Sequence, residues 1–212
     1  MKRSILSLVV AAMALASLWS ASAPAAAGKC PSGDAPVIIS TDAVKVFRSG
    51  ENYLGCLRRS RTRHRVGQRY SDLGGSSRAR LFQIAGRFVA FAEDKTGRGD
   101  DTNTQVSVVD LRTGRARGHY TAGASPFPLA PARDLVINEQ GQQAWTIDGA
   151  VRAATRYGSR LIASSPELDA LSLRRRGSSE FCWTTAGTER CEAFPTQQPW
   201  PARPHPNYEP AR

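Results

Sequence analysis

The chain has 212 residues, 41% of them hydrophobic, and a formal net charge of +11. That length fits one domain large enough to bury a real core and argues against a multidomain assembly. The charge attracts polyanions such as cell-wall polymers, anionic lipid or nucleic acid, though solubility alone also accounts for it, and the Arg bias (25 Arg to 4 Lys) fits a GC-rich genome.

Lys2 and Arg3 precede an uncharged apolar run from Ile5 to Leu18, and a small, polar stretch then ends in Ala25-Ala26-Ala27. Basic, apolar and small segments in that order predict a signal peptide over residues 1–27. The run is shorter than the ~20 residues a spanning helix needs. Lys29 stands before Cys30 where a lipobox needs a small residue. The expectation is therefore a secreted, extracellular chain starting near Gly28, with no membrane span once the leader is removed.

The four cysteines, Cys30, Cys56, Cys182 and Cys191, all follow the leader. An even count in an exported chain reads as two disulfides, for which sequence alone allows three pairings. One pairing follows from geometry. If Ala186-Gly187 is a two-residue hairpin loop, Thr185 faces Thr188 and Cys182 faces Cys191. The cysteines then occupy a non-hydrogen-bonded pair, where Cα atoms approach to ~4.5 Å. Cys30 and Cys56 are left to tie the N-terminus to the first strands.

From Val37 onward, apolar residues alternate or form short runs, and Gly, Asp, Asn or Ser interrupts them every eight to twelve residues. That spacing predicts many short strands and an all-β fold. The best helix candidate, Pro166 to Leu173, lacks a sustained helical period. Four segments repeat a strand with an aromatic, a turn and another strand. They centre on Phe47, Phe91, Trp145 and Trp183, at intervals of 44, 54 and 38 residues. Periods near 40 to 50 with about four strands each mark propeller blades. Three units parse into four strands each: Val37 to Val66, Leu81 to Tyr120, and Arg133 to Ser164. The fourth, Leu171 to Phe194, has three. Gly74-Gly75-Ser76-Ser77 reads as a flexible linker between the first two units. The fold expectation for residues 28–194 is a propeller-like array of about four short antiparallel sheets, as a closed ring or an open, incomplete array. A β-sandwich is the alternative.

Val106-Ser107-Val108-Val109-Asp110-Leu111-Arg112-Thr113-Gly114 resembles the strand-and-turn signature of WD40-like and quinoprotein-like propeller repeats, in which a strand ends in Asp-Leu-x-Thr-Gly. Val106, Val108 and Leu111 would pack between blades, Asp110 and Thr113 would bond turn backbone, and Gly114 would take a positive φ. Tyr157-Gly158 and Ala186-Gly187 echo it loosely, and the chain lacks the Trp-Asp dipeptide of WD40 proteins. The resemblance implies a fold more than an activity.

Arg58 to Arg65 is the densest charge run. As a strand it would put Arg59, Arg61, Arg63 and Arg65 on one face, a stripe that could track phosphates or an acidic glycan, with Arg174-Arg175-Arg176 adding to it. An edge strand kept soluble by charge is the plainer reading, because no aromatic platform interleaves the arginines. Arg98-Gly99-Asp100 spells an adhesion tripeptide, and Glu93, Asp94, Asp100, Asp101 and Asn103 offer oxygens to calcium without matching an EF-hand loop. His64, His119 and His205 show no metal-ligand spacing, and no nucleophile elbow or nucleotide loop occurs. The sequence thus nominates no catalytic residue, metal or cofactor. Asp110 and Asp148 at strand ends read as turn residues. Residues 195–212, with six prolines, read as an extended, poorly ordered tail or a Pro-rich ligand.

The functional expectation is a secreted, non-enzymatic binding module for a protein or an anionic cell-envelope polymer, with no nucleic-acid partner in vivo. The alternative is an extracellular glycan hydrolase with carboxylates distant in sequence.

Overall fold

Short apolar stretches closed off by glycine turns favour strands over helices, and the computed structural model has no helix among its described residues. Those residues are Cys30 and 35–97, 102–120, 131–155 and 158–195. The expected leader, the Arg98-Gly99-Asp100 tripeptide and residues 196–212 of the tail lie outside them.

The first meander contains β1 (Val37–Ser40), β2 (Val44–Ser49), β3 (Asn52–Leu57) and β4 (Arg63–Asp72). The second contains β5 (Gly75–Ala85), β6 (Phe88–Thr96), β7 (Thr102–Asp110) and β8 (Arg115–Tyr120). The third contains β9 (Asp134–Ile137), β10 (Gln143–Ile147), β11 (Ala150–Thr155) and β12 (Gly158–Ser164), and the fourth β13 (Arg174–Arg176), β14 (Glu180–Thr185) and β15 (Thr188–Ala193). Within every sheet, strands adjacent in sequence pair antiparallel, and no sheet closes into a barrel. The strand order is the one expected from the pattern of aromatics and turns, but β4 runs on past Val66, β5 starts before Leu81, and β13 starts at Arg174 rather than Leu171.

The linker expectation is overturned. Leu73 and Gly74 form a hairpin tip, where the Gly74 N–H donates to Asp72 Oδ1 at 2.7 Å, and Gly75, Ser76 and Ser77 already belong to β5. Gly75 has φ +143°, and a Cβ there would fall 2.3 Å from the Thr96 carbonyl oxygen, so only glycine fits. The first part of β4 pairs with β3, whereas its last four residues pair with β5. Two expected sheets thereby become one eight-stranded sheet. Pro166 to Leu173 forms turns, with Leu168 bridged to Thr185 and the Leu171 N–H bonded to Asp169 Oδ1 at 3.0 Å.

Three apolar clusters bind successive meanders in chain order. Val44, Val46, Tyr53 and Val66 pack against Ala79, Val89, Phe91, Val109 and Leu111. Phe88, Ala90, Ala92, Val106 and Val108 pack against Leu135, Ile137 and Trp145. Val136, Ala144, Val151 and Ala153 pack against Phe181, Trp183 and Phe194. The period of two sends Val89 and Phe91 one way and Phe88 and Ala90 the other, so the second and third meanders are buried on both faces. The four repeat aromatics are all buried: Phe47, Phe91, Trp145 and Trp183 are between 0% and 4% exposed.

The outer meanders each carry one disulfide. Cys182 faces Cys191 in the expected register, with Cα atoms 4.0 Å apart, and Cys30 joins Cys56 at 5.8 Å. Cys182 alternates with Phe181 and Trp183, and Cys56 with Gly55, where a Cβ would run into Leu111 and Val66. Each bridge therefore lies on the face turned away from the neighbouring meander. Paired thiols of this kind fit an oxidising compartment.

Candidate functional site

In a continuous meander, alternate hairpin loops fall at the same end of the sheet. The β1–β2, β3–β4, β5–β6 and β7–β8 loops share one end, and they surround a cavity of about 580 Å³. Asp42 and Ala43 come from the first loop, Leu57, Arg59 and Ser60 from the second, Gly86 and Arg87 from the third, and Arg112 from the fourth. Three arginines and one aspartate thus surround a hollow whose wall, which includes Ala43 and Leu57, is largely apolar.

The loops are tied to one another through backbone. The Arg58 N–H donates to the Ala43 carbonyl at 2.9 Å, and the Leu111 N–H to the Arg87 carbonyl at 3.1 Å. The Arg58 side chain clamps the first loop, with Nη2 donating to Ser40 Oγ at 2.7 Å and Nε to the Thr41 carbonyl at 3.1 Å. With Arg58 turned back, Arg59 is exposed at the cavity.

The Asp-Leu-x-Thr-Gly turn builds the opposite wall. Asp110 Oδ1 accepts the Arg112 N–H at 2.9 Å, Thr113 Oγ1 accepts the Arg115 N–H at 3.3 Å, and the Gly114 N–H donates to the Asp110 carbonyl at 2.8 Å. Gly114 has φ +69°, and a Cβ there would meet His64 Nδ1 at 2.3 Å. The turn is therefore pressed onto the start of β4. Burial lowers the His64 pKa against the opposing pull of the Asp110 charge, which keeps the ring neutral at pH 7. Its Nε2 is buried without a hydrogen-bond partner. Arg87 Nε lies 3.0 Å from Asp110 Oδ1, an ion pair not aligned for a hydrogen bond, and its guanidinium carbon sits 4.9 Å from the Phe88 ring centroid. Arg59 and Arg112 form no ion pair with a described residue. Two open forks beside a positioned third suit an anionic group, since bidentate guanidinium contacts combine charge with geometry.

The expected arginine stripe does not form. Arg58 to Ser60 make a turn, Arg61 adopts φ 57°, and β4 starts only at Arg63. Arg59 and Arg61 thus belong to a loop, while Arg63 and Arg65 lie opposite Cys56 and Leu54. Of the four, only Arg59 lines the cavity. Arg174 and Arg176 stand opposite Cys182 and Glu180 on the outer face of the fourth meander, where Arg174 pairs with Glu189.

Of the acidic residues toward the β6–β7 turn, Asp94 and Glu93 are held in ion pairs, and Asp100 and Asp101 lie outside the described residues. Arg80 Nε and Nη2 donate to Asp94 at 2.5 and 3.0 Å, and Thr104 Oγ1 donates to it at 2.6 Å. Burial pushes the Asp94 carboxyl up, but those hydrogen bonds and the Arg80 and Arg78 charges outweigh it and hold the pKa below the usual value. Glu93 Oε2 lies 3.4 Å from Lys95 Nζ. Asp134 behaves oppositely. Burial and the Asp169 charge raise it, although the Leu135 and Leu173 N–H groups pull it back. Among the described residues, one group of possible metal ligands clusters, Cys182, Glu189 and Cys191, and its sulfurs are joined in the disulfide.

Arg87 and Arg112 escaped the sequence reading because they stand 28 and 53 residues from Arg59. The signal that could have found them was the turn motif itself, whose variable position is Arg112. No protein-family model matches the chain, and no curated protein is significantly similar to it.

Proposed function

We propose that the protein is an exported, non-enzymatic β-propeller-like binding module that grips an anionic group of a cell-envelope polymer in the Arg59–Arg87–Arg112 cavity. The observation that carries this reading is that three arginines from two consecutive meanders border one largely apolar hollow. The blade-like reading is supported by antiparallel meanders packed in chain order through both faces of the inner sheets. Export is supported by two disulfides and by the leader-like order of residues 1–27. A binding role is favoured over hydrolysis because Asp42 is the single carboxylate in the cavity lining, whereas a glycosidase works with two.

The test is titration calorimetry of the disulfide-bonded chain with polygalacturonate, and with neutral dextran as control. Binding should be confined to the acidic polymer and weaken as salt rises. The R59Q/R112Q variant should bind about tenfold or more weakly, because two charge-assisted contacts are lost. Equal binding of dextran, or an unchanged affinity in the variant, would remove the assignment.

A further inference from the structure

Arg69 on β4 and Arg78 on β5 stand directly opposite each other in the antiparallel register. Like charges in that position repel and weaken a strand pair. Both line a cavity of about 480 Å³ together with Arg48 and Glu51. None of the three arginines forms an ion pair with a described residue, although Arg78 stands opposite Asp94 of β6 and its charge helps lower that carboxyl. Glu51 offsets only one of the three charges. Arg69 and Arg78 also line an adjoining cavity of about 360 Å³, which contains Tyr53 and Phe82 with ring centroids 4.9 Å apart. This hollow shares no lining residue with the Arg59 cavity.

We infer that this is a second anion site, built for a tetrahedral oxyanion: phosphate or sulfate, free or as an ester. A carboxylate occupies one guanidinium fork, whereas a tetrahedral group presents oxygens to three forks at once. The anion would also relieve the Arg69–Arg78 repulsion, so binding gains a term that a lone surface arginine cannot supply. The Tyr53–Phe82 hollow beside it gives the organic part of an ester an apolar surface. The inference stands on its own residues and survives if the Arg59 cavity proves empty of function.

The experiment uses the full disulfide-bonded chain in phosphate-free buffer. Thermal unfolding and the arginine Nε–Hε resonances are followed during titration with inorganic phosphate, inorganic sulfate, glucose 6-phosphate and glucose. The phosphate and sulfate probes should raise Tm and shift guanidinium resonances, and glucose should do neither. Glucose 6-phosphate binding about tenfold or more tighter than inorganic phosphate identifies an ester as the source, and equal binding identifies the free anion. Without ligand, R69Q should leave Tm unchanged or raise it, because a repulsion is removed, whereas R78Q also gives up the pull on Asp94. Both should abolish the ligand-dependent rise, which R59Q/R112Q should leave intact. No response to any oxyanion at millimolar concentration overturns the proposal. So does a response that persists in R69Q and R78Q, or a fall in ligand-free Tm in R69Q.

Discussion

The inner meanders and the outer ones solve the same packing problem differently. β6, β7, β9 and β10 bury both faces against neighbours: Phe88 to Ala92 is wholly apolar, and Val106 to Leu111 is buried throughout, Ser107 and Asp110 included. Among the described residues, the first and fourth meanders have a neighbour on one side only, and each carries a disulfide on its other face. Stability in the middle therefore comes from apolar burial, and at the ends it is shared with covalent closure.

The largest effect that separates the two regions is a cavity in the middle. Trp145→Ala, at a fully buried position, should cost about 3–5 kcal/mol in urea unfolding, whereas Leu161→Ala, on a half-exposed strand, should stay within about 0.5 kcal/mol. Comparable losses would break the contrast. Next come the bridges. The chain-entropy estimate assigns about 3.5 kcal/mol to Cys30–Cys56, with its separation of 26, and about 2.6 kcal/mol to Cys182–Cys191, with its separation of 9. Paired Cys→Ser variants should lose stability in that order. The reverse order would place more of the fold's dependence on the C-terminal hairpin.

Gly114→Ala joins the two regions, because the turn of the second meander rests on His64 of the first. A left-handed backbone and an occupied Cβ position predict a loss of about 1–3 kcal/mol, measured by thermal unfolding. The smallest effects are electrostatic. Asp94 is held below its ordinary pKa, so its contribution is present above the unfolded carboxylate pKa and lost as pH falls through the depressed one. Asp94→Asn should therefore be most destabilising near neutrality and least in acid. Asp134 is raised, so its favourable term exists below the unfolded pKa and vanishes as pH rises through the folded one. Asp134→Asn should gain on the wild type above that window and match it in acid. Parallel pH profiles for the two variants would contradict both assignments.

Much of the strand order was legible in the chain. Period-two alternation and glycine turns marked the strands, and the Ala186-Gly187 turn set the Cys182–Cys191 register, with φ of 49° and 73° at its two residues. The β4–β5 junction was not legible, because Gly74 to Ser77 has the composition of a linker while its conformation is dictated by a partner strand ending at Thr96. The arginine run misled for a related reason. Alternation suggested a strand, but Arg58 is drawn back to Ser40 and Thr41, contacts that exist only after β1 and β2 have formed. The cavity was illegible as a whole, since its loops meet only when the meander is folded.

The two disulfides also bear on how the chain folds. One joins two strands of the fourth meander, the other ties β3 to Cys30 just ahead of the first meander, and strands adjacent in sequence pair throughout every sheet. Local connectivity of this kind lowers contact order and speeds folding. A chain emerging N-terminus first can close its first sheet and seal Cys30 to Cys56 before its later strands arrive. Each new meander then meets a surface already formed, and the last hairpin, sealed by its own bridge, completes the sequence without the N-terminal sheet having to reopen.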